Sequence, residues 1–138
     1  MPAIAAITLH DSEAAGRVIH AFQPNTVIGN QATYANRSGG LSIGYQTISI
    51  TASQPSKTSR LYKTRIRLVC PVLEVVNGTT VNGIAPAPTK AYDMTATVEF
   101  FCPERSTLRQ REDLKALLYE LVGSTAIASV VETQETIY

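Results

Sequence analysis

Polar and apolar residues alternate most clearly over residues 47–53, where Thr47, Ser49, Thr51 and Ser53 interleave with Ile48, Ile50 and Ala52. A two-residue period is that of a strand with one buried face, so the hydroxyls share one side and the aliphatic groups the other. Residues 54–60 are polar and turn-forming. Residues 62–76 then predict a long strand in which Lys63, Arg65 and Arg67 alternate with Thr64, Ile66 and Leu68. Turn dipeptides at Asn77-Gly78 and Asn82-Gly83, followed by Pro86 and Pro88, make residues 77–90 a long loop. Residues 92–102 predict the next strand, with Asp93, Thr95, Thr97 and Glu99 on one face and Met94, Ala96, Val98 and Phe100 on the other. The three strands form an antiparallel meander.

The flanking segments complete the layout. Residues 4–9 and 17–22 are short apolar-rich stretches around a polar, glycine-containing turn, which predicts an amino-terminal hairpin. Residues 24–44 are rich in Asn, Gly and Ser, which fits short strands and loops. After Pro103 the period changes: Leu114, Leu117, Leu118, Leu121 and Val122 fall on one helical stripe. Thr107 with Gln110 resembles a capping box, Glu112 and Asp113 are expected in the first turns, and Gly123 is placed to end the helix. Residues 125–132 predict a second, shorter helix with Ile127, Val130 and Val131 inward. Strands first and helices last is an α+β arrangement in a single domain of 138 residues.

A sheet with one apolar face needs a cover, and two helices are a thin one for three strands or more. The helices of a second copy can serve equally well, so an obligate homodimer is expected.

Composition adds less than the placement of charge. With 44% hydrophobic and 17% charged residues the chain reads as globular. It holds no apolar run of membrane-spanning length and its first residues lack a signal peptide's basic flank, so a soluble cytosolic product with no membrane partner is expected. The net charge of +1 hides an asymmetry: between Glu13 and Glu74 there is no acidic residue, while Arg17, Arg37, Lys57, Arg60, Lys63, Arg65 and Arg67 lie there. Such segregation points to a polyanionic partner.

Most constellations that suggest chemistry fail on their surroundings. Gly40, Ser42 and Gly44 match a G-x-S-x-G nucleophile, but no helix follows and both histidines precede Ser42, so a glycine-rich turn is the better reading. His10 and His20 have no partners that complete a metal set, and Cys70 and Cys102 are too far apart for a zinc site and read as core thiols. No carboxylate pair is placed for acid–base work. No cofactor, no metal and no enzymatic activity are expected. What remains is the polar sheet face, where small hydroxyls donate to phosphates and base edges while long cations neutralise the backbone. Tyr92 could stack on an unpaired base. A solvated strand face is the plain alternative.

Ordered along the chain, residues 47–56, Tyr62 and Lys63 opening the basic strand, Ala91 and Tyr92, Arg105 to Thr107 at the helix entrance, Leu114 to Leu121, and Ile137 with Tyr138 resemble the coat proteins of the single-stranded RNA bacteriophages, the leviviruses, and the Q-beta-like group in particular. Thr80 to Ile84 resembles a loop of a related phage. The likeness runs from about Pro24 to Tyr138, while the first hairpin matches in layout.

The resemblance implies an amino-terminal hairpin, a five-stranded antiparallel sheet and two carboxy-terminal helices that interlock with those of a partner. Dimers would then tile an icosahedral virion shell through contacts of loop 77–90 with other coat dimers. The polar face would meet the single-stranded genomic RNA and an operator hairpin whose binding represses replicase translation. By that likeness the RNA-contacting set is Thr47, Ser49, Thr51, Ser53, Lys57, Arg60, Lys63, Arg65, Arg67, Tyr92 and Asp93, with Gln31 as an earlier pocket member. For Tyr92 to reach that face, a bulge must interrupt the alternation that already puts Asp93 and Thr95 there. The shell-crosslinking cysteines of Q-beta-like relatives have no counterpart in 77–90. A cellular RNA-binding dimer with a basic sheet is the alternative.

Overall fold

Six antiparallel strands lie side by side in the order in which the chain makes them. They are β1 (Ile7–His10), β2 (Ile19–Ile28), β3 (Gln31–Asn36), β4 (Gln46–Ser53), β5 (Leu61–Glu74) and β6 (Thr89–Pro103), followed by α1 (Leu108–Val122) and α2 (Thr125–Glu132). The computed structural model describes residues 4–12, 16–74 and 86–136. The expected α+β arrangement is present, with one difference in strand count. β2 is long enough to be shared: its start pairs with β1 from Ile19 to Phe22, and its remainder pairs with β3 from Gln23 to Ile28. The hairpin therefore extends the five-stranded sheet β2–β6 to six strands. A register shift between Pro24 and Thr26 follows just after the change of partner, and such an irregularity tolerates a residue with no N–H.

Pairing of β4 with β5 puts Ile48 opposite Leu68 and Ile50 opposite Ile66, so the aliphatic side chains read from the alternation meet across strands. They gather with Ile7, Ala32 and the buried Phe22 and Tyr34 into the core. Phe22 is the best buried of these, at 2% exposure. Pro71 lies inside β5, which a central strand would not accept, but β4 stops at the Thr47–Val69 pair, so β5 has one neighbour there.

A chain of side-chain hydrogen bonds ties the hairpin to the sheet. The Asp11 carboxylate is 3.2 Å from His20 Nε2, and Asn36 Nδ2 donates to His20 Nδ1 and to Gln46 Oε1, both at 3.1 Å. Asn36 is buried, and its Oδ1 accepts from Ser38 N at 3.1 Å, so its amide is fully used.

The short turn Ser42–Gly44 packs against β5 and β6. A Cβ on Gly44 would lie 2.8 Å from Leu73 Cδ1, so a side chain there makes Leu73 shift. Ser42 thus opens a 3-10 turn on the way to β4, as a glycine-rich turn rather than a nucleophile elbow would.

α1 starts with the predicted capping box: Gln110 N donates to Thr107 Oγ1 at 3.3 Å, and Thr107 N to Gln110 Oε1 at 3.0 Å. Gly123 caps its other end. Glu112 and Asp113 fall in the second turn of a helix that begins at Leu108, and Asp113 accepts from Arg109 Nε at 3.2 Å. Neither helix buries a residue in its own chain. Leu117 and Val131 are each 69% exposed, which corrects the inward placing of Val131. The two helices meet at 57° and pack chiefly against each other, leaving the apolar sheet face without a helical cover. Among the described residues no single helix is long and apolar enough to cross a membrane. Cys70 and Cys102 are free thiols and only half-buried, since the face they occupy is uncovered.

Candidate nucleic-acid interface

Register across β3 to β6 assembles the polar face. Ser49 pairs with Arg67, Thr51 with Arg65 and Ser53 with Lys63, so each cation of β5 stands directly opposite a hydroxyl. Thr47 is opposite Val69 and Gln31 is opposite Thr51, which adds Gln31 to the same face. Lys57 and Arg60 lie in the turn that joins β4 to β5, at the Ser53–Lys63 end. That turn is held by Ser56 N to Ser59 O at 2.8 Å and Ser59 N to Ser56 Oγ at 3.1 Å, and Arg60 O accepts from Glu104 N at 3.0 Å.

The facing strand β6 changes the electrostatics. Arg65 is opposite Glu99 and Arg67 opposite Thr97, and the Arg65 guanidinium is ion-paired with the Glu99 carboxylate. Asp93, opposite Pro71, accepts from Lys90 Nζ at 2.7 Å. The acid-free stretch is thus acid-free along the chain but not in space. Among the described residues, Lys63 and Arg67 are the cations of β5 with no carboxylate partner.

Tyr92 does not join this set. Pairing runs without interruption from Leu61–Pro103 to Val72–Tyr92, which gives Tyr92 the alternation of Met94, Ala96 and Val98. The register shift comes one step later, between Val72 and Leu73. It skips Ala91 and brings Lys90 to the side of Asp93. A bulge exists, but on the far side of Tyr92 from where stacking on RNA would need it.

Two residues that the alternation alone did not single out complete the site. Phe101 pairs with Lys63 and is therefore on the polar face, half exposed, with Lys63 Nζ 5.8 Å from the centre of its ring. Its only sequence signal is an aromatic at an odd position of β6, in step with Asp93 and Glu99. Lys90 needed the bulge, which no periodicity announces. Phe101, Glu99, Arg65, Lys63, Thr51 and Ser53 help wall a cleft of about 290 Å³.

Among the described residues no group of three His, Cys, Asp or Glu side chains could hold a metal ion. Small donors, long cations and an aromatic ring on an open strand surface can bind an extended polyanion and grip a base.

A curled antiparallel sheet with one hydroxyl-and-cation face and two trailing helices is the build of a small phage coat subunit. The levivirus coat protein family model matches residues 2–138, and the chain belongs to that family. The virus-like particle of bacteriophage ESE058 is similar, with a TM-score of 0.88 and 27% identity, over 99% of this chain and 100% of that one. The virus-like particle of bacteriophage NT-214 follows at 0.84 and 25%, covering 98% of each. The capsid protein of bacteriophage GA shares the fold, with a TM-score of 0.73 at 19% identity over 98% of each chain. No curated protein matches it.

Proposed function

We propose that this chain is a structural capsid subunit that works as a homodimer, tiles an icosahedral shell with other dimers, and packages single-stranded genomic RNA against its polar sheet face. In the same reading the dimer binds an operator hairpin and represses replicase translation, assembles in the host cytoplasm, and catalyses nothing. The carrying observation is the two-sidedness of the sheet. One side offers hydroxyls and cations in facing pairs, and the other is apolar and lacks a cover. The bare helices supply what a twin subunit needs, and β6 presents an open edge along Thr89–Pro103 for a twin β6 to join. Pairing across that edge extends the polar face over both subunits and doubles its cations. Loop 77–90 lies mostly outside the described residues; its role between dimers follows from the family resemblance.

The contact set for RNA is Thr47, Ser49, Thr51, Ser53, Lys57, Arg60, Lys63, Arg65 and Arg67, with Asp93 at the margin beside Lys90. Electron microscopy of the purified recombinant chain tests the assembly reading. Uniform shells are expected, with co-purified RNA seen in the ratio of absorbance at 260 and 280 nm. A soluble monomer at high concentration would overturn it.

A further inference from the structure

We infer that the outer corner of the sheet, where the β2–β3 turn carries Val27 and Ile28 beside an unpaired stretch of β2, is a contact surface for a neighbouring dimer of the same chain. The inference rests on the capsid reading and adds to it a second place, besides loop 77–90, at which dimers meet.

Ile28 is 77% exposed and Val27 51%. They belong to opposite sides of the sheet. Ile28 stands across from Gln31, and so in line with Thr51 on the hydroxyl-and-cation side, whereas Val27 stands across from Ala32 and in line with Ile50. The corner is thus aliphatic on both sides, including the one on which β4 and β5 place polar residues. Its backbone is open as well. β1 covers β2 only from Ile19 to Phe22, so from Gln23 to Ile28 one edge of β2 has no strand beside it among the described residues. Exposed edges are usually guarded by charge. Here no Asp, Glu, Lys or Arg occurs between Arg17 and Arg37.

Side-chain bonds hold the corner in one shape. Thr33 Oγ1 accepts from Thr26 N at 3.2 Å and donates to Thr26 O at 3.2 Å. Gly29, with a φ of 58°, makes the turn. Asn30 then fastens it to the end of β4: its Nδ2 donates to Ser53 Oγ at 3.2 Å, and its carbonyl accepts from Ala52 N at 2.9 Å. An aliphatic tip fixed in this way loses little freedom on docking.

Charge selects the occupant. A polyanion would need cations on this stretch and a charged protein would need opposite charges, and the sequence from 18 to 36 offers neither. A neutral aliphatic corner suits a neighbour of the same chain, which repeats in every subunit of a closed assembly. Position agrees with this. In a dimer joined at β6, the β2 corners are at the two far ends of the shared sheet, where the next dimers of a shell begin.

The test follows assembly of the full-length chain by sedimentation velocity over a concentration series, for the wild type and for Ile28→Asp, Ile28→Lys and Ile28→Val. Ile28→Asp and Ile28→Lys should each raise the concentration needed for shells by about tenfold or more, the loss of one buried aliphatic side chain. Ile28→Val should stay within about twofold of the wild type. The two charged variants separate a protein contact from an effect through RNA. Impaired assembly of Ile28→Asp with improved assembly of Ile28→Lys would mean that the corner meets nucleic acid, which overturns the inference. Shells formed by all variants at the wild-type concentration overturn it too. Hydroxyl-radical footprinting of the wild type needs no variant: Val27 and Ile28 should be oxidised several-fold less in RNA-depleted shells than in free dimers, and equal oxidation overturns the contact. A wild type that forms no shells at all would instead refute the capsid reading beneath it.

Discussion

Arg65 on β5 and Glu99 on β6 stand directly opposite each other and form an ion pair across the polar face. The pair is solvent-exposed on the arginine side, so its contribution to stability is small, of the order of exposed pairs generally. Its larger effect is on charge. It neutralises one of three cations on β5 and leaves Lys63 and Arg67 as the groups that act on a polyanion without competition.

Lys63→Ala and Arg67→Ala should therefore each weaken RNA binding by about tenfold at low salt, and each should reduce the slope of log affinity against log salt by about one. Arg65→Ala should have the smaller salt effect, because its charge is already compensated by Glu99. Fluorescence anisotropy across a salt series measures all three. Equal slopes for the wild type and Arg67→Ala would remove Arg67 from the interface.

Gly44→Ala should destabilise the fold by about 1–3 kcal/mol, because the new methyl group meets Leu73 Cδ1 at 2.8 Å. Adding Leu73→Ala should recover part of the loss, as coupled neighbours do. Denaturant titration of the single and double variants gives the coupling energy, and strict additivity would show that the two residues do not meet.

Asn36→Ala should cost about 1–3 kcal/mol, by leaving the Ser38 N–H and the Gln46 amide without their buried partner. Asn36→Asp should cost more, since it turns a donor into an acceptor facing Gln46 Oε1. Thermal unfolding monitored by circular dichroism checks the order, and a more stable Asp variant would contradict the assigned amide orientation.

Burial pushes the Cys70 thiol up, because the apolar face disfavours the thiolate. The folded chain therefore holds this proton more tightly than the unfolded chain. The stabilising contribution is complete below the unfolded thiol's pKa and declines as pH rises through the raised folded value. Iodoacetamide labelling of Cys70, followed by mass spectrometry, should be slow near neutral pH and accelerate only in alkaline solution. A rate already at its plateau at pH 8 would show a thiolate instead.

The sequence reveals what repeats locally. Alternation over β4 and β5 told which side chains share a face, and the spacing of Thr107 and Gln110 located the start of α1, because both depend on residues within a few positions of each other. Relations between strands were hidden. Nothing near Arg65 in the chain indicates Glu99, and so the cationic face looked stronger than it is. Lys90 reaches that face through a bulge that depends on the pairing of β5 with β6. Tyr92 is the aromatic at the loop exit, while Phe101, nearer the far end of the strand, is the ring that register brings to the cations. Val131 belongs to an apolar stripe yet is exposed, because a helical stripe reports an apolar surface without saying which molecule covers it.

The contact between Gly44 and Leu73 also sorts the glycine-rich connection between β3 and β4 into two parts with different evolutionary freedom. An added Cβ at Gly39 or Gly40 would meet nothing within 4 Å, although Gly40 holds a left-handed φ of 74°. Foreign peptides grafted between those two residues should leave the scaffold undisturbed, whereas grafts placed a few residues later would pry the turn off the strand beneath it.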